Sequence, residues 1–295
     1  MKAADGRGVV AERWDLAPDL SISRVLTGLW QIADMERDGR QLDLVATARE
    51  MGPYVDAGLT TFDMADHYGS AEEIVGLFAR EHGSGVVQPL TKWVPEPGAS
   101  TREEVREAVE LSLRRMQTER IDLLQFHGGD AETLEREGLI EMLIDFRSQG
   151  LIRHIGSSSS LPHLPGMIAL GVFETFQVPY SCLAPEHHDW IAQAAETGAG
   201  IIIRGGIAHG GPDADIERPA LNDVWNKAGL DELLAEGMNR AELILRYTLS
   251  HPACQTTIVG TCDEVHLAEN LASMNKGPLD KSLCDEIATR IKSAV

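Results

Sequence analysis

Eight short runs rich in β-branched and aliphatic residues recur along this chain, and stretches with helical spacing separate them. The runs are Val25–Gly28, Thr60–Asp63, Val86–Lys92, Ile121–His127, Ile152–Ser157, Thr175–Val178, Ile201–Arg204 and Thr256–Gly260. Between them, apolar residues return at three and four spacing, as in Val105, Ala108, Val109, Leu111, Leu113 and Met116. Such a period marks an amphipathic helix. Thr101 with Glu103 and Glu104 behind it reads as a capped helix start carrying acids in its first turn. Further helices are expected over Ala241–Leu249, Val265–Leu271 and Asp280–Ile291. Strand alternating with helix is the pattern of a parallel α/β sheet. Eight equal units favour a closed (β/α)8 barrel, the TIM barrel, over an open doubly wound sheet. The segment Glu12–Ser23 ahead of the first unit is expected to form a small hairpin under the barrel floor.

The 295 residues suit such a barrel as a single domain spanning 1–295, since these barrels reach about 250 residues as one unit. There is no linker, low-complexity tract or repeat of solenoid length. With 26 basic and 46 acidic side chains the formal charge is −20, which repels nucleic-acid phosphates and anionic membranes. No apolar run approaches the length of about 18 residues that a membrane span needs, and Met1–Asp15 has no signal-like apolar stretch. A soluble, cytoplasmic protein is expected, monomeric by default. Cys182, Cys254, Cys262 and Cys284 form no C-x-x-C pair and no zinc-type cluster, so free thiols and no structural metal are expected. His187-His188-Asp189 lacks the spacing that puts two ligands on one helix face.

Chemistry is expected where polar residues end the strands, because that rim of a parallel barrel carries the active site. Asp63 ends the second run, Tyr68 follows in its turn, Lys92 ends the third and His127 ends the fourth. A carboxylate, a phenol, an ammonium and an imidazole are what carbonyl reduction requires. A free phenol with a pKa of about 10 is a poor acid at neutral pH, and a nearby ammonium stabilises its anion. Lys92 is the expected ammonium, Asp63 the carboxylate that holds it charged, and His127 the donor that orients the substrate oxygen. Any one of these residues alone is more often a packed or surface group; the weight lies in four at successive strand ends.

The chain resembles the aldo-keto reductase superfamily, in order along its length. The matching stretches are 57–69 (Ala-Gly-Leu-Thr-Thr-Phe-Asp-Met-Ala-Asp-His-Tyr-Gly), Thr91-Lys92-Trp93, 120–127 (Arg-Ile-Asp-Leu-Leu-Gln-Phe-His), 150–156 (Gly-Leu-Ile-Arg-His-Ile-Gly) and Thr257-Ile258-Val259-Gly260-Thr261. The resemblance implies a tetrad of Asp63, Tyr68, Lys92 and His127, with Tyr68 protonating the carbonyl oxygen. It also implies a dinucleotide laid across the barrel mouth, consistent with the lack of a Rossmann G-x-G-x-x-G or a P-loop. Its carboxamide would meet Ser158, Ser159 and Gln177, with Ser159 standing where the family has Asn. Arg204 stands where an aromatic ring commonly stacks on the nicotinamide, and a planar guanidinium can also stack. Gly205, Gly206, Gly210 and Gly211 would let backbone amides approach the pyrophosphate. The adenosine end would fall on Gly260, Thr261, Cys262, Asp263, His266, Glu269 and Asn270, with Thr261 and free helix amides toward a 2′-phosphate. Gly28, Trp30 and Asp63 complete the implied cofactor set. NADP is the first choice; NAD stays open, since no Lys or Arg stands there.

Substrate loops are expected at Ile207–Leu230, with Trp225 and the acids Asp213, Asp215 and Glu217, and at Gly128-Gly129-Asp130. Trp30 and Trp93 are candidate apolar walls, each also readable as ordinary packing. The expected function is an NAD(P)H-dependent reductase acting on a small-molecule carbonyl or its alcohol. Two alternatives stand beside it: a dinucleotide-binding regulatory subunit without significant turnover, and an NAD-dependent sugar or alcohol dehydrogenase.

Overall fold

The computed structural model describes residues 12–30, 39–83, 85–95, 101–208, 219–261 and 263–295. All eight expected runs are strands: β3 (Val25–Gly28), β4 (Thr61–Asp63), β5 (Gln88–Trp93), β6 (Ile121–His127), β7 (Ile152–Ser158), β8 (Thr175–Pro179), β9 (Gly200–Arg204) and β10 (Thr256–Val259). Each pairs in parallel with the next, and β10 closes the circle by pairing with both β9 and β3. The barrel is therefore a (β/α)8 closure. Its boundaries differ from the sequence expectation mainly at β5, which starts two residues late because the ladder with β4 begins only at Gln88.

The helices are α1 (Leu44–Arg49), α2 (Gly52–Asp56), α3 (Ala71–His82), α4 (Arg102–Met116), α5 (Ala131–Arg136), α6 (Leu139–Ser148), α7 (Leu164–Ala169), α8 (His188–Glu196), α9 (Pro219–Lys227), α10 (Arg240–Leu249), α11 (Glu264–Asn275) and α12 (Lys281–Ala294). At α4 the expected cap forms in full: Glu104 N donates to the Thr101 hydroxyl at 3.3 Å, and Thr101 N donates to the Glu104 carboxylate at 2.7 Å. Such a box satisfies two backbone donors that the first turn leaves free. The outward strand residues Phe62, Leu124, Phe126, Ile155, Phe176, Ile201 and Ile203 are buried against these helices in one continuous core.

Inside the barrel the strands' period of two sorts residues into layers. Leu26, Leu90, Leu123 and Ile202 form an apolar floor with Leu16, Ala17, Leu20 and Ile22 of the expected hairpin, β1 (Arg13–Ala17) and β2 (Leu20–Ser23). A fully buried Leu or Ile contributes about 1.5–3 kcal/mol over an exposed one, so this plug anchors the closed end. The fit is close: a Cβ at Gly200 would lie 1.9 Å from the Leu16 carbonyl oxygen, which explains glycine at the start of β9.

The long substrate loop expected over Ile207–Leu230 is corrected in its second half. Residues 219–227 form α9, and Trp225 is 0% exposed, its Nε1 donating to Asp231 at 2.9 Å. A side chain so enclosed packs the core and faces no substrate. Asp213, Asp215, Glu217, Gly210, Gly211 and Cys262 lie outside the described residues. Among the described residues no helix is long and apolar enough to cross a membrane, and no group of three His, Cys, Asp or Glu could hold a metal. Cys182, Cys254 and Cys284 are free thiols. His187 and His188 turn to different partners, the Leu161 amide and the Tyr180 hydroxyl.

Candidate active site at the barrel mouth

Two residues above the apolar floor, the same inward face turns polar: Leu90 is followed by Lys92, and Leu123 by Gln125 and then His127. Lys92 is completely buried, and its ammonium donates to Asp63 Oδ2 and to the Met64 carbonyl, each at 2.7 Å. Burial pulls the two groups in opposite directions, lowering the Lys92 pKa and raising that of Asp63. Their mutual attraction and hydrogen bond oppose that drift. Across the barrel Gln125 donates to Gln177 at 3.0 Å.

The turn after β4 is pinned to β5, since Met64 N donates to Leu90 O and Asp66 N to Lys92 O. That brings Tyr68 over the ammonium, with Lys92 Nζ 4.9 Å from the centre of the phenol ring. A second layer holds the same turn. The Arg115 guanidinium donates to the Asp66 carbonyl at 3.0 Å and to the buried Glu72 carboxylate at 3.3 Å, and Glu72 accepts from the Thr91 hydroxyl at 2.7 Å.

His127 completes the group, its ring 6.1 Å from that of Tyr68. Burial, reinforced by the charges of Lys92 and then His67 and Arg204, pushes its pKa down to about 3. The imidazole is therefore neutral at ordinary pH and presents one N–H donor. All four expected catalytic residues thus converge at one end of the barrel.

Of the four, His127 lines a cavity of about 340 Å³, together with His67, Val94, Gly128, Gly129, Ser158, Ser159, Ser160, His163 and Arg204; Asp63, Tyr68 and Lys92 lie buried beside it. Gly128 and Gly129 both have φ near +80°, turning the chain sharply away from His127. His67, Val94, Ser160 and His163 are wall residues that the sequence reading missed. Adjacency to Tyr68 was a usable signal for His67; nothing local marked His163. Of the two readings of Trp93, ordinary packing holds, since it packs on Phe126 at 5.9 Å between ring centres. Trp30 packs on the core edge and is absent from the cavity lining.

Of the expected cofactor residues, Ser158, Ser159 and Arg204 line the cavity, while Gln177 lies in the polar layer beneath. Ser159 is held by a 2.6 Å hydrogen bond to Ser157. Gln125 Oε1, His127 Nδ1 and Arg204 Nε are buried with no hydrogen-bond partner among the described residues, an arrangement that fits a bound polar group. Gly206 is buried differently, because a Cβ there would meet the Thr257 hydroxyl at 1.9 Å; its size serves the packing of the turn after β9 against β10. Gly28 likewise lies close to Ile258.

Gly260, Thr261, His266, Glu269 and Asn270 gather after β10 at the start of α11, where Tyr54 donates to the Thr261 carbonyl at 2.6 Å. The helix amides there are not all free: Asp263 caps α11, accepting from Val265 N at 2.7 Å. A carboxylate thus already occupies the place where an anion was expected.

Comparison with known proteins agrees with this geometry. The model of the Aldo/keto reductase family matches residues 24–291. The uncharacterized oxidoreductase YqkF of Bacillus subtilis is 26% identical over 87% of this chain and 89% of its own length. Among solved structures, aldo-keto reductase AKR11C1 from Bacillus halodurans in its holo form superposes with a TM-score of 0.77 at 24% identity, covering 97% of this chain and 96% of that one. An aldo/keto reductase from Klebsiella pneumoniae in complex with NADP and acetate gives a TM-score of 0.74 at 21% identity, with 95% of each chain covered. With the family pattern running through every barrel strand and the polar mouth they support, this chain belongs to the aldo/keto reductase family and is an oxidoreductase.

Proposed function

We propose that the protein reduces a small aldehyde or ketone to its alcohol with NADPH, Tyr68 giving the proton to the carbonyl oxygen. The observation that carries this reading is the buried Lys92 ammonium, fixed by Asp63 and Met64 and set 4.9 Å from the Tyr68 ring. A cation in that place stabilises the phenolate left after proton transfer, and it does so in a site with little water to screen it. Asp63 keeps Lys92 charged against the drift that burial imposes. Neutral His127 donates its N–H to the same carbonyl oxygen, orienting it without competing as an acid. Proton transfer from a positioned group typically accelerates a reaction by about 10² to 10⁴.

A nicotinamide bound at the mouth would supply the hydride. Ser158, Ser159 and Gln177 are the groups of this chain suited to hold its carboxamide, and Arg204 to cover its ring; Gly260, Thr261, His266, Glu269 and Asn270 stand toward the adenosine. The NADP of the Klebsiella pneumoniae structure favours the phosphorylated coenzyme here.

The test mixes purified protein, NADPH and 4-nitrobenzaldehyde and follows loss of the reduced-nicotinamide absorbance, with NADH and the reverse reaction run in parallel. Turnover that prefers NADPH is the expected result. Tight coenzyme retention without turnover on a broad carbonyl panel would instead point to a regulatory subunit, and turnover confined to alcohol oxidation with NAD to a dehydrogenase.

A further inference from the structure

The catalytic rings do not stand alone at the mouth. His67 sits between them, its ring centre 4.9 Å from that of Tyr68 and 5.0 Å from that of His127. Its orientation is fixed on one side, because Nδ1 hydrogen-bonds the Asp66 carboxylate at 2.8 Å. Asp66 is itself immobilised by its amide bond to Lys92 O and by Arg115 on its carbonyl. In a neutral imidazole a carboxylate on Nδ1 selects the Nδ1–H tautomer, so Nε2 carries the lone pair. No described protein group hydrogen-bonds that nitrogen, and His67 lines the cavity. Beyond it the described wall is polar on the side of Ser160 and His163, with Val94 the one aliphatic side chain.

We propose that His67, aimed by Asp66, is a substrate-specificity residue whose Nε2 accepts the hydroxyl on the carbon next to the reacting carbonyl, so that the preferred substrates are short α-hydroxy aldehydes and ketones. The inference rests on the carbonyl-reduction reading above. A carbonyl oxygen held between Tyr68 and His127 places its α-carbon beside the third ring of the triangle. A purely apolar α-substituent leaves the acceptor without a partner.

The test compares kcat/KM for hydroxyacetone and methoxyacetone, which share the electron-withdrawing oxygen and differ in the proton it can donate. All assays run at one alkaline pH, the same for wild type and variants. A neutral hydrogen bond in a partly exposed site predicts that the hydroxy-to-methoxy ratio falls by roughly 3- to 10-fold in His67→Phe. His67→Gln, whose Oε1 can accept from nearly the same place, should restore much of it. The ratio is read within each variant, so a change in absolute rate does not affect it. An unchanged ratio in His67→Phe, with 4-nitrobenzaldehyde still reduced by the wild type, overturns the subsite and leaves carbonyl reduction standing. Failure of the wild type to reduce any of the three carbonyls overturns both.

Discussion

Replacing Lys92 with Met separates what the ammonium does for catalysis from what it does for the fold. The Lys92 and Asp63 side chains are 0% and 5% exposed, so the substitution strands a carboxylate in the barrel. Breaking a buried pair from one side costs about 3–5 kcal/mol. The double variant Lys92→Met with Asp63→Asn removes both charges, and with them the stranded carboxylate that makes the single substitution costly. Stability should therefore fall in the single variant and recover in the double one. Turnover should fall by about 10² to 10⁴ in both, because neither supplies the buried ammonium over which the Tyr68 ring is set.

The pH dependence has a definite sign. Burial already raises the Asp63 pKa, and without Lys92 the two largest influences that lower it are gone, leaving Gln177 and Arg204. The penalty in Lys92→Met is then full above that raised pKa and relieved as the pH falls through it, so the deficit against wild type should shrink in acid. Chemical denaturation across pH, with kcat measured on the same samples, reads both quantities. A double variant that regains stability and also regains activity would refute the assigned role of Lys92.

Other substitutions probe separate parts of the account. His127→Ala should lower kcat/KM by roughly 10²-fold and His127→Gln by clearly less, since a neutral N–H donor suffices where the imidazole pKa is pushed to about 3; equal losses would argue against a donor role. Asp263→Ser keeps a cap on α11 but removes a negative charge, and should raise affinity for NADPH relative to NADH by about 3- to 10-fold in fluorescence titrations. Gly200→Ala, with its Cβ 1.9 Å from the Leu16 carbonyl, should lower stability by roughly 1–3 kcal/mol or more, as overpacked sites do; an unchanged thermal midpoint would refute the hairpin's docking on β9.

Much of this architecture is legible along the chain because its determinants are local. The eight strands show as β-rich runs, and the polar residues near the C-terminal ends of β5 and β6 follow from a period of two applied to Leu90-Lys92 and Leu123-Gln125-His127. The cap at Thr101 and Glu104 is a four-residue pattern and forms as read. Other features depend on which elements meet in space. Trp225 resembles a loop aromatic until α9 turns it inward, and Gly206 resembles a flexible rim until Thr257 is found against it. His67 and His163 are 96 residues apart in number and share a cavity only because the turn after β4 and the segment after β7 both reach the mouth.

Tyr68→Phe tests the central claim most directly, because it deletes one hydroxyl and preserves the ring packed beside His67 and Lys92. Single-turnover reduction of 4-nitrobenzaldehyde, with the coenzyme Kd measured on the same protein, should show a rate lower by about 10² or more and a Kd within a factor of two or three of wild type. A rate within threefold of wild type would contradict the assignment of the phenol as the proton donor.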